Sequence, residues 1–442
     1  MNDFLSKHTI KFKKNNCIAP NFYEEYNVKA GLRNDNGTGV LVGLSQISSV
    51  EGYDVIDDVK YPKEGELYYR GYEICDLVSA FKKEKRYGFE ETIYLILFGE
   101  LPTKEELKEF RKVLGSYREL PENFVENMIL KNPSSNIMNK LQRSVLVLYS
   151  FDEDPENLSI ENILDESLRL ISRFPTIVAY GYQAMNHYFN NGSLVIHQPL
   201  ENLSTAEYLL YLIRSDKKYT EKEAEVLDLC MLLHADHGAN NSSFATHVVA
   251  SSGTDTYSSI ATAIGSLKGP KHGGASIYVK EMIDNIKENC DTKDLVKLKQ
   301  YLGDILDKKA NNKTGLIYGM GHAVYTLSDP RAELLKEKAS ELAIEKEMIE
   351  EYNVYKNIEI LSKELILERK GIVVCSNVDL YSGFVYSMLN IPKELYTPIF
   401  AISRVAGWVA HRIEQLVSDD KILRPAYKFV LEQRKYKDID NR

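Results

Sequence analysis

One helix constrains this fold more than any other stretch of the sequence. In "TEKEAEVLDLCMLLHADH", residues 220–237, apolar side chains fall on nearly every face of the predicted helix. Such a helix has no side suited to water, so it must be buried within the protein. Helical patterns also dominate the chain from about residue 75 onward. The sequence therefore predicts a mostly α-helical protein.

The region near the N-terminus has a different pattern. Residues 40–72 combine β-branched residues and tyrosines with Gly and Pro turns, which predicts a few short strands. The 442 residues are enough for two or three domains. A charged stretch from about 275 to 370 differs from the more apolar helices around it. We predict a large helical domain of residues 1–271 and 380–442, and a small helical domain of residues 272–379.

Local signals predict several helix ends. Thr103 and Thr220 are each followed three residues later by Glu, the spacing of a capping box. Gly269, which precedes a proline, is predicted to end a helix. Thr397 is predicted as an N-cap, with Pro398 at the first helical position.

The charge balance excludes some classes of function. Basic residues number 55 and acidic residues 64, a net charge of -9, so the chain lacks the basic field of a general nucleic-acid-binding surface. The N-terminus has no apolar core of signal-peptide length, and no stretch approaches the length of a membrane span. The five cysteines form no CxxC pair, which is typical of free thiols in a reducing compartment. We expect a soluble cytoplasmic protein without nucleic-acid or membrane partners.

Two histidines follow each other closely in "LHADHGAN". His234 and His237 are three residues apart near the end of the buried helix, so both are expected to face one side. Three alternatives remain open for them: a metal site, which would need further ligands that the sequence does not supply nearby, a satisfied core histidine, or a side chain that faces an anion.

Two further residues have alternative interpretations. His272, in "KGPKHGGAS", is either a surface loop histidine or a neutral imidazole that donates a hydrogen bond to a developing enolate oxygen. The second alternative requires the positive end of the following helix to disfavour the imidazolium. Asp379, in "GIVVCSNVDLYSG", is either a helix N-cap or a catalytic base whose pKa is raised by apolar surroundings.

Arginines in unusual places indicate an anionic ligand. Arg404 interrupts the apolar stretch "PIFAISRVAGWVA" and has no acidic residue three or four positions away, so its partner must come from elsewhere in the fold or from a ligand. Arg331 and Arg424 lie in predicted loops marked by proline. Because guanidinium groups bind carboxylates in a bidentate manner, these arginines suggest a di- or tricarboxylate site.

Together these motifs resemble those of the citrate synthase family. "LHADH", "GPKHGGA", "GMGHAVY…DPRA", "NVDLYSG" and "ISRVAGWVAH…RP" occur in that family's order and spacing, and the similarity extends over roughly residues 40–430. The resemblance implies a two-domain, mostly helical homodimer with its active site in the cleft between the domains. The implied reaction condenses acetyl-CoA with oxaloacetate and hydrolyses the citryl thioester to citrate and CoA, the entry step of the tricarboxylic acid cycle.

The resemblance also implies roles for individual residues. It implies a reaction that uses no metal and no permanently bound cofactor, with coenzyme A entering as the co-substrate acetyl-CoA. Asp379 would take a proton from the acetyl methyl group, His272 would hold the enol oxygen, and His322 would polarise the oxaloacetate carbonyl. Four side chains would bind oxaloacetate, the last from the partner subunit: His237, Arg331, Arg404 and Arg424. Three positions would contact coenzyme A: Gly319, Ala323 and Asn377.

One position departs from the family pattern. Thr326 stands where a basic residue is expected near a CoA phosphate, and we expect Arg369 or Lys370 to be the substitutes. The sequence leaves two other functions open. One is a 2-methylcitrate synthase that uses propionyl-CoA, because one methylene is worth only about 1–3 kcal/mol in an apolar pocket. The other is a catalytically inactive dimer that binds CoA or a carboxylate.

Overall fold

The computed structural model describes residues 2–418 and 421–442, and it is mainly helical. The α-helices are α1 (Asn2–Asn15), α2 (Asn21–Glu25), α3 (Ile74–Glu84), α4 (Phe89–Phe98), α5 (Lys104–Ser116), α6 (Ile137–Leu148), α7 (Ile160–Asn190), α8 (Thr205–Ile213), α9 (Glu221–His234), α10 (Asn241–Ala250), α11 (Thr256–Lys268), α12 (Ala275–Asn289), α13 (Leu295–Leu306), α14 (Pro330–Glu345), α15 (Ile349–Lys370), α16 (Val378–Met388) and α17 (Tyr396–Ser418).

Short irregular helices and a small sheet complete the chain. The 3-10 helices are Ala30–Leu32, Tyr149–Phe151, Lys393–Leu395 and Ile439–Asn441, and Val125–Leu130 forms a π-helix. Strands β1 (Ser48–Ile56), β2 (Val59–Tyr69) and β3 (Tyr72–Glu73) form a sheet in that order. β2 and β3 are antiparallel, with Tyr68 opposite Glu73 and Tyr69 opposite Tyr72. The predicted mostly α fold with a few short N-terminal strands is confirmed.

The chain divides into two compact units. The smaller unit comprises the residues up to Leu44 together with Val55–Lys60 and Leu423–Arg442, and it contains α1 and α2. The larger unit comprises Ser45–Asp54 and Tyr61–Ile422. The predicted boundaries between a large and a small helical domain both lie inside this larger unit, and that division remains a prediction.

Helices α9 and α17 occupy the core of the larger unit. Every residue of α9 from Val226 to His234 is buried, as its pattern predicted. α17 packs against α4, α7, α9, α10 and α11, and Trp408 on it is fully buried. These two helices bring the chain segments with polar motifs to the inside of the unit. Among residues 2–418 and 421–442, no helix combines the length and the apolar character needed to cross a membrane.

The capping signals had mixed outcomes. The capping boxes at Thr103 and Thr220 are present, and α11 ends before Gly269, as predicted. The prediction for Thr397 was wrong, because α17 begins at Tyr396, directly after a 3-10 helix. The Thr397 hydroxyl instead donates a hydrogen bond to the Gly273 carbonyl oxygen, at 2.8 Å.

Candidate active site

His237, His322 and Tyr325 form an aromatic cluster in the larger unit. The His237 and His322 ring centroids are 5.1 Å apart, and the His322 and Tyr325 rings stack at 4.7 Å. His237 Nε2 lies 3.3 Å from the Tyr325 hydroxyl oxygen. Burial and the charge of Arg331 hold the pKa of His237 well below its ordinary value. His237 is therefore a neutral imidazole at physiological pH.

The backbone determines which nitrogen of His322 carries the proton. His322 Nδ1 accepts hydrogen bonds from the Val324 and Tyr325 amide groups, at 3.1 and 3.2 Å. An acceptor nitrogen has no proton, so the neutral ring is protonated at Nε2. Nε2–H is thus the donor that His322 offers to a carbonyl oxygen.

His234 and His237 do not share a helix face. α9 ends at His234, and His237 lies beyond the helix end, so the predicted helical pair is wrong. His234 Nδ1 donates to the Cys230 carbonyl oxygen at 2.7 Å, and burial lowers the pKa of His234 to about 3. His234 is therefore a satisfied core histidine, whereas His237 belongs to the aromatic cluster.

Arg404 is a buried cation on α17 without a carboxylate partner. Its Nε donates to the His234 carbonyl oxygen at 2.7 Å, and no Asp or Glu of the described chain lies within ion-pair distance of it. Burial lowers the pKa of Arg404 to about 10, which still leaves it charged at neutral pH. A buried guanidinium in this state favours an anionic ligand, because the ligand supplies the missing charge.

Arg331 is buried as well, but it has a carboxylate beside it. It lies in the first turn of α14 and not in a loop, which corrects the sequence interpretation. Asp329, the N-cap of α14, accepts hydrogen bonds from Arg331 Nε at 3.0 Å and Nη2 at 2.7 Å. Burial disfavours the charge, yet Asp329 raises the pKa of Arg331 above its ordinary value. Asp329 thereby holds the guanidinium in place and leaves Nη1 for a ligand.

Asp379 is the second residue of α16, and it does not cap the helix. The cap is Asn377, whose side-chain oxygen accepts a hydrogen bond from the Asp379 amide group at 3.1 Å. Burial raises the pKa of Asp379 to about 6, although the positive charges of Arg331 and Arg404 oppose the shift. The capping alternative is therefore excluded, and Asp379 has the raised pKa expected of a carboxylate base.

His272 lies in the turn between α11 and α12. Its Nε2 accepts a hydrogen bond from the Ser242 amide group at 3.3 Å, in the first turn of α10. The positive helix end at this histidine is thus that of α10, whereas the sequence suggested the following helix. Burial lowers the pKa of His272 to about 4, and Arg404 adds to the effect. The neutral ring is therefore protonated at Nδ1, which is its donor.

The glycine loop before His322 is joined to the segment that holds Asp379. Gly319 has a φ of +83° and packs so closely on Leu380 that a Cβ atom would lie 2.9 Å from the Leu380 side chain. The Gly319 carbonyl accepts from the Asn377 amide at 2.9 Å, and the Asn377 side chain donates to the Gly321 carbonyl at 2.9 Å. The glycines thus position His322 relative to α16.

The remaining predicted ligands are more solvent-exposed. Ala323 is exposed and Thr326 is half-buried. Arg424 belongs to the smaller unit and is also exposed. Arg369 Nη1 donates to Asp307 at 2.8 Å and to the Gly303 carbonyl, so its charge is already paired within the larger unit. The roles inferred for Ala323 and Arg424 stay predictions.

The sequence patterns did not identify two residues of the site. Tyr325 connects His237 with His322, and its hydroxyl donates to the Glu66 carbonyl oxygen at 3.2 Å. Phe400 contacts the Arg404 guanidinium, whose carbon lies 4.8 Å from the ring centroid, and its centroid lies 6.4 Å from that of His272. Both are ordinary core residues by sequence, although Phe400 lies one helical turn before Arg404, where a contact with that charge is expected.

The chain is similar to known proteins over most of its length. The family model for the citrate synthase C-terminal domain matches residues 35–426. A citrate synthase from Synechocystis sp. is 34% identical over 89% of this chain and 89% of its own length. A 2-methylcitrate synthase from Shewanella oneidensis is 32% identical over 85% of this chain and 92% of its own length. A citrate synthase from Thermoplasma acidophilum, solved as a ternary complex with carboxymethyl coenzyme A and oxaloacetate, superposes with a TM-score of 0.75 at 27% identity and covers 93% of this chain and 99% of its own.

Proposed function

This chain belongs to the citrate synthase family, and from that premise we propose that it condenses acetyl-CoA with oxaloacetate and hydrolyses the resulting citryl-CoA. The products are citrate and free CoA, and the reaction would serve as the entry step of the tricarboxylic acid cycle. The observation that carries the proposal is Arg404, a buried guanidinium that forms no ion pair with an Asp or Glu of the described chain and donates to the His234 carbonyl oxygen. Oxaloacetate has two carboxylates, either of which could pair with this guanidinium.

The first chemical step is the removal of a proton from the acetyl methyl group. The Asp379 carboxylate takes the proton, and the C–H electron pair forms the enolate of the thioester. With a pKa of about 6, Asp379 is roughly nine-tenths ionised at pH 7 and is a stronger base than an ordinary aspartate. His272 donates a hydrogen bond from Nδ1–H to the enolate oxygen, and Arg404 adds a positive field.

The second step joins the two substrates. The enolate carbon attacks the ketone carbon of oxaloacetate, and His322 donates from Nε2–H to the ketone oxygen as it becomes an alkoxide. Three side chains of the larger unit bind the substrate carboxylates: His237, Arg331 and Arg404. Arg424 of the partner subunit is the fourth. Water then cleaves the thioester and releases CoA, whose contacts we assign to Gly319, Ala323 and Asn377.

A thiol-release assay tests this proposal directly. Acetyl-CoA and oxaloacetate are supplied with and without a chelator, and we expect equal CoA release in both. Asp379→Asn should lose activity by at least about a thousandfold and still bind oxaloacetate, because the substitution preserves size and removes only the base. Unchanged turnover in this variant would contradict the assignment of Asp379 as the base. The absence of turnover in the unaltered chain would favour an inactive binding protein.

One methylene separates acetyl-CoA from propionyl-CoA, a difference worth only about 1–3 kcal/mol in an apolar pocket. Relatives of both kinds, citrate synthases and 2-methylcitrate synthases, are similar to this chain to nearly the same degree. Parallel assays with the two thioesters, compared by kcat/KM, decide between them. We expect the higher kcat/KM with acetyl-CoA, and a preference for propionyl-CoA would assign the chain as a 2-methylcitrate synthase.

A further inference from the structure

Two histidines and a glutamate meet outside the candidate active site. His247 lies on α10, and His411 and Glu414 lie on α17, which packs against α10. His247 Nε2 is 3.0 Å from His411 Nδ1, and His411 Nδ1 is 3.9 Å from Glu414 Oε2. The three ligand atoms all lie within 4.8 Å of one another. His411 is buried, while His247 and Glu414 are half-buried.

Neighbouring side chains orient both imidazole rings. Asp236 Oδ2 accepts a hydrogen bond from His411 Nε2 at 3.2 Å, and Gln415 Oε1 accepts one from His247 Nδ1 at 3.1 Å. These contacts place the ring protons on the far nitrogens. The two facing nitrogens, His247 Nε2 and His411 Nδ1, are 3.0 Å apart, close enough for one cation to contact both. A cation bound there would take the place of this ring-to-ring contact and form two coordinate bonds.

Glu414 completes the set of ligands. Its Oε1 accepts a hydrogen bond from the Gln46 amide group at 2.6 Å, which holds the carboxylate in place. Its Oε2 is buried and has no hydrogen-bond partner in the described chain. An unsatisfied buried carboxylate oxygen is costly, and a bound cation would remove that cost.

We propose that His247, His411 and Glu414 bind one divalent transition-metal cation of the zinc class. Two imidazoles and one carboxylate form a donor set that suits this class, and a tetrahedral ion with bonds of 2.0–2.1 Å separates its donors by about 3.3 Å. Two of the three separations, 3.0 and 3.9 Å, bracket that value, and the third is within 4.8 Å. The hydrogen bond from His411 to Asp236 is the carboxylate–histidine–metal arrangement that orients ligands in zinc sites.

A cavity lies beside the proposed site. A cavity of about 280 Å³ is lined by Gln46 and Ser48, among others. These two residues bond to Glu414 and Asp236, respectively, so the cavity borders the site. The proposed site holds none of the residues assigned to the reaction, so it leaves the expectation of a metal-free condensation unchanged.

Metal titration of the full-length chain tests the proposal. The protein is treated with a chelator, freed of it, and titrated with Zn²⁺ by calorimetry and with Co²⁺ by absorption spectroscopy. We expect one ion per chain with the intense visible bands of tetrahedral Co²⁺. His247→Gln should weaken binding at least about tenfold. The matched control His187→Gln, which removes an exposed histidine of α7, should bind as the unaltered chain does.

A second pair of variants keeps the result interpretable. Glu414→Gln retains the acceptor for the Gln46 amide and removes only the charge, so it should fold and lose the ion even if His247→Gln does not fold. His237→Gln alters the aromatic cluster of the active site and should keep the ion. The absence of binding to the unaltered chain would overturn the proposal. So would binding that is lost in His237→Gln and retained in Glu414→Gln.

Discussion

A single carboxyl determines how the proposed reaction should depend on pH. The surroundings raise the pKa of Asp379 to about 6, and the base must be ionised to act. We predict that kcat/KM falls as the pH drops through about 6, approaching a tenfold loss per pH unit below it. His272, with a pKa lowered to about 4, stays neutral over this range.

The measurement is a profile of kcat/KM for acetyl-CoA between pH 5 and 8, with protein stability checked at each pH. A profile that stays flat down to pH 5 would contradict the role of Asp379. As a control, Asp165→Asn removes a surface carboxylate that pairs with Arg169, and it should leave the profile unchanged.

Arg404 supports a prediction about substrate affinity. Arg404→Lys keeps the charge and removes the fork that matches a carboxylate, a loss of about 1.5–3 kcal/mol for a hydrogen bond to a charged group. We predict that KM for oxaloacetate rises roughly 10- to 100-fold. The matched control is Arg412→Lys, a second buried arginine of α17, which donates to Thr256 and Ser259. Steady-state kinetics should show an unchanged KM in this control, and equal effects of both substitutions would argue against a carboxylate at Arg404.

At the scale of secondary structure, the N-cap of α16 joins two parts of the site. Asn377 caps the helix that presents Asp379, and it donates to the Gly321 carbonyl in the loop before His322. We predict that Asn377→Ala lowers the free energy of unfolding by about 1 kcal/mol and also lowers kcat. The control is Asp294→Ala, which removes the cap of α13 far along the chain. Asp294→Ala should lower the free energy of unfolding by a similar amount in denaturant titrations and leave kcat unchanged. If kcat falls equally in both variants, the effect of Asn377→Ala comes from the loss of stability alone.

Sequence patterns predicted helix ends where the determinants are local. The caps at Thr103 and Thr220 depend on a glutamate three residues away, so the sequence contains all that is needed. Thr397 has the same residue type, but its hydroxyl bonds to Gly273, 124 positions away. At the end of α9, the His234 carbonyl oxygen accepts a hydrogen bond from Arg404, 170 positions away, a contact that no local pattern predicts.

The same distinction applies to the candidate site. Charged and imidazole side chains in apolar or glycine-rich surroundings identified His322, Asp379 and Arg404 as candidates. Their protonation states depend on partners that only the fold supplies, such as the Ser242 amide at His272. No sequence rule brings His247 to His411, 164 positions away, so that cluster could be found only in the structure.

At the scale of the whole molecule, the expectation that Arg424 serves the partner's site can be tested by mixing subunits. Arg424→Ala and Asp379→Ala chains are each expected to be inactive as homodimers. In a mixed dimer, one site would combine the intact Asp379 of one chain with the intact Arg424 of its partner. We predict that random mixing restores about a quarter of the unaltered activity, measured after co-expression of both chains. If Arg424 acts within its own chain, the mixture stays inactive.

Two contacts of α17 also bear on how the protein is synthesised. Arg404 donates to the carbonyl of His234, 170 positions earlier, and Glu414 accepts from Gln46, 368 positions earlier. Contacts so distant along the chain close late, because a large loop must be ordered before they form. A ribosome must therefore synthesise most of the 442 residues before α17 can join α9. Until then, the apolar surfaces that α17 covers in the folded protein are exposed to solvent. Fragments that end before α17 should therefore neither bind substrate nor remain soluble.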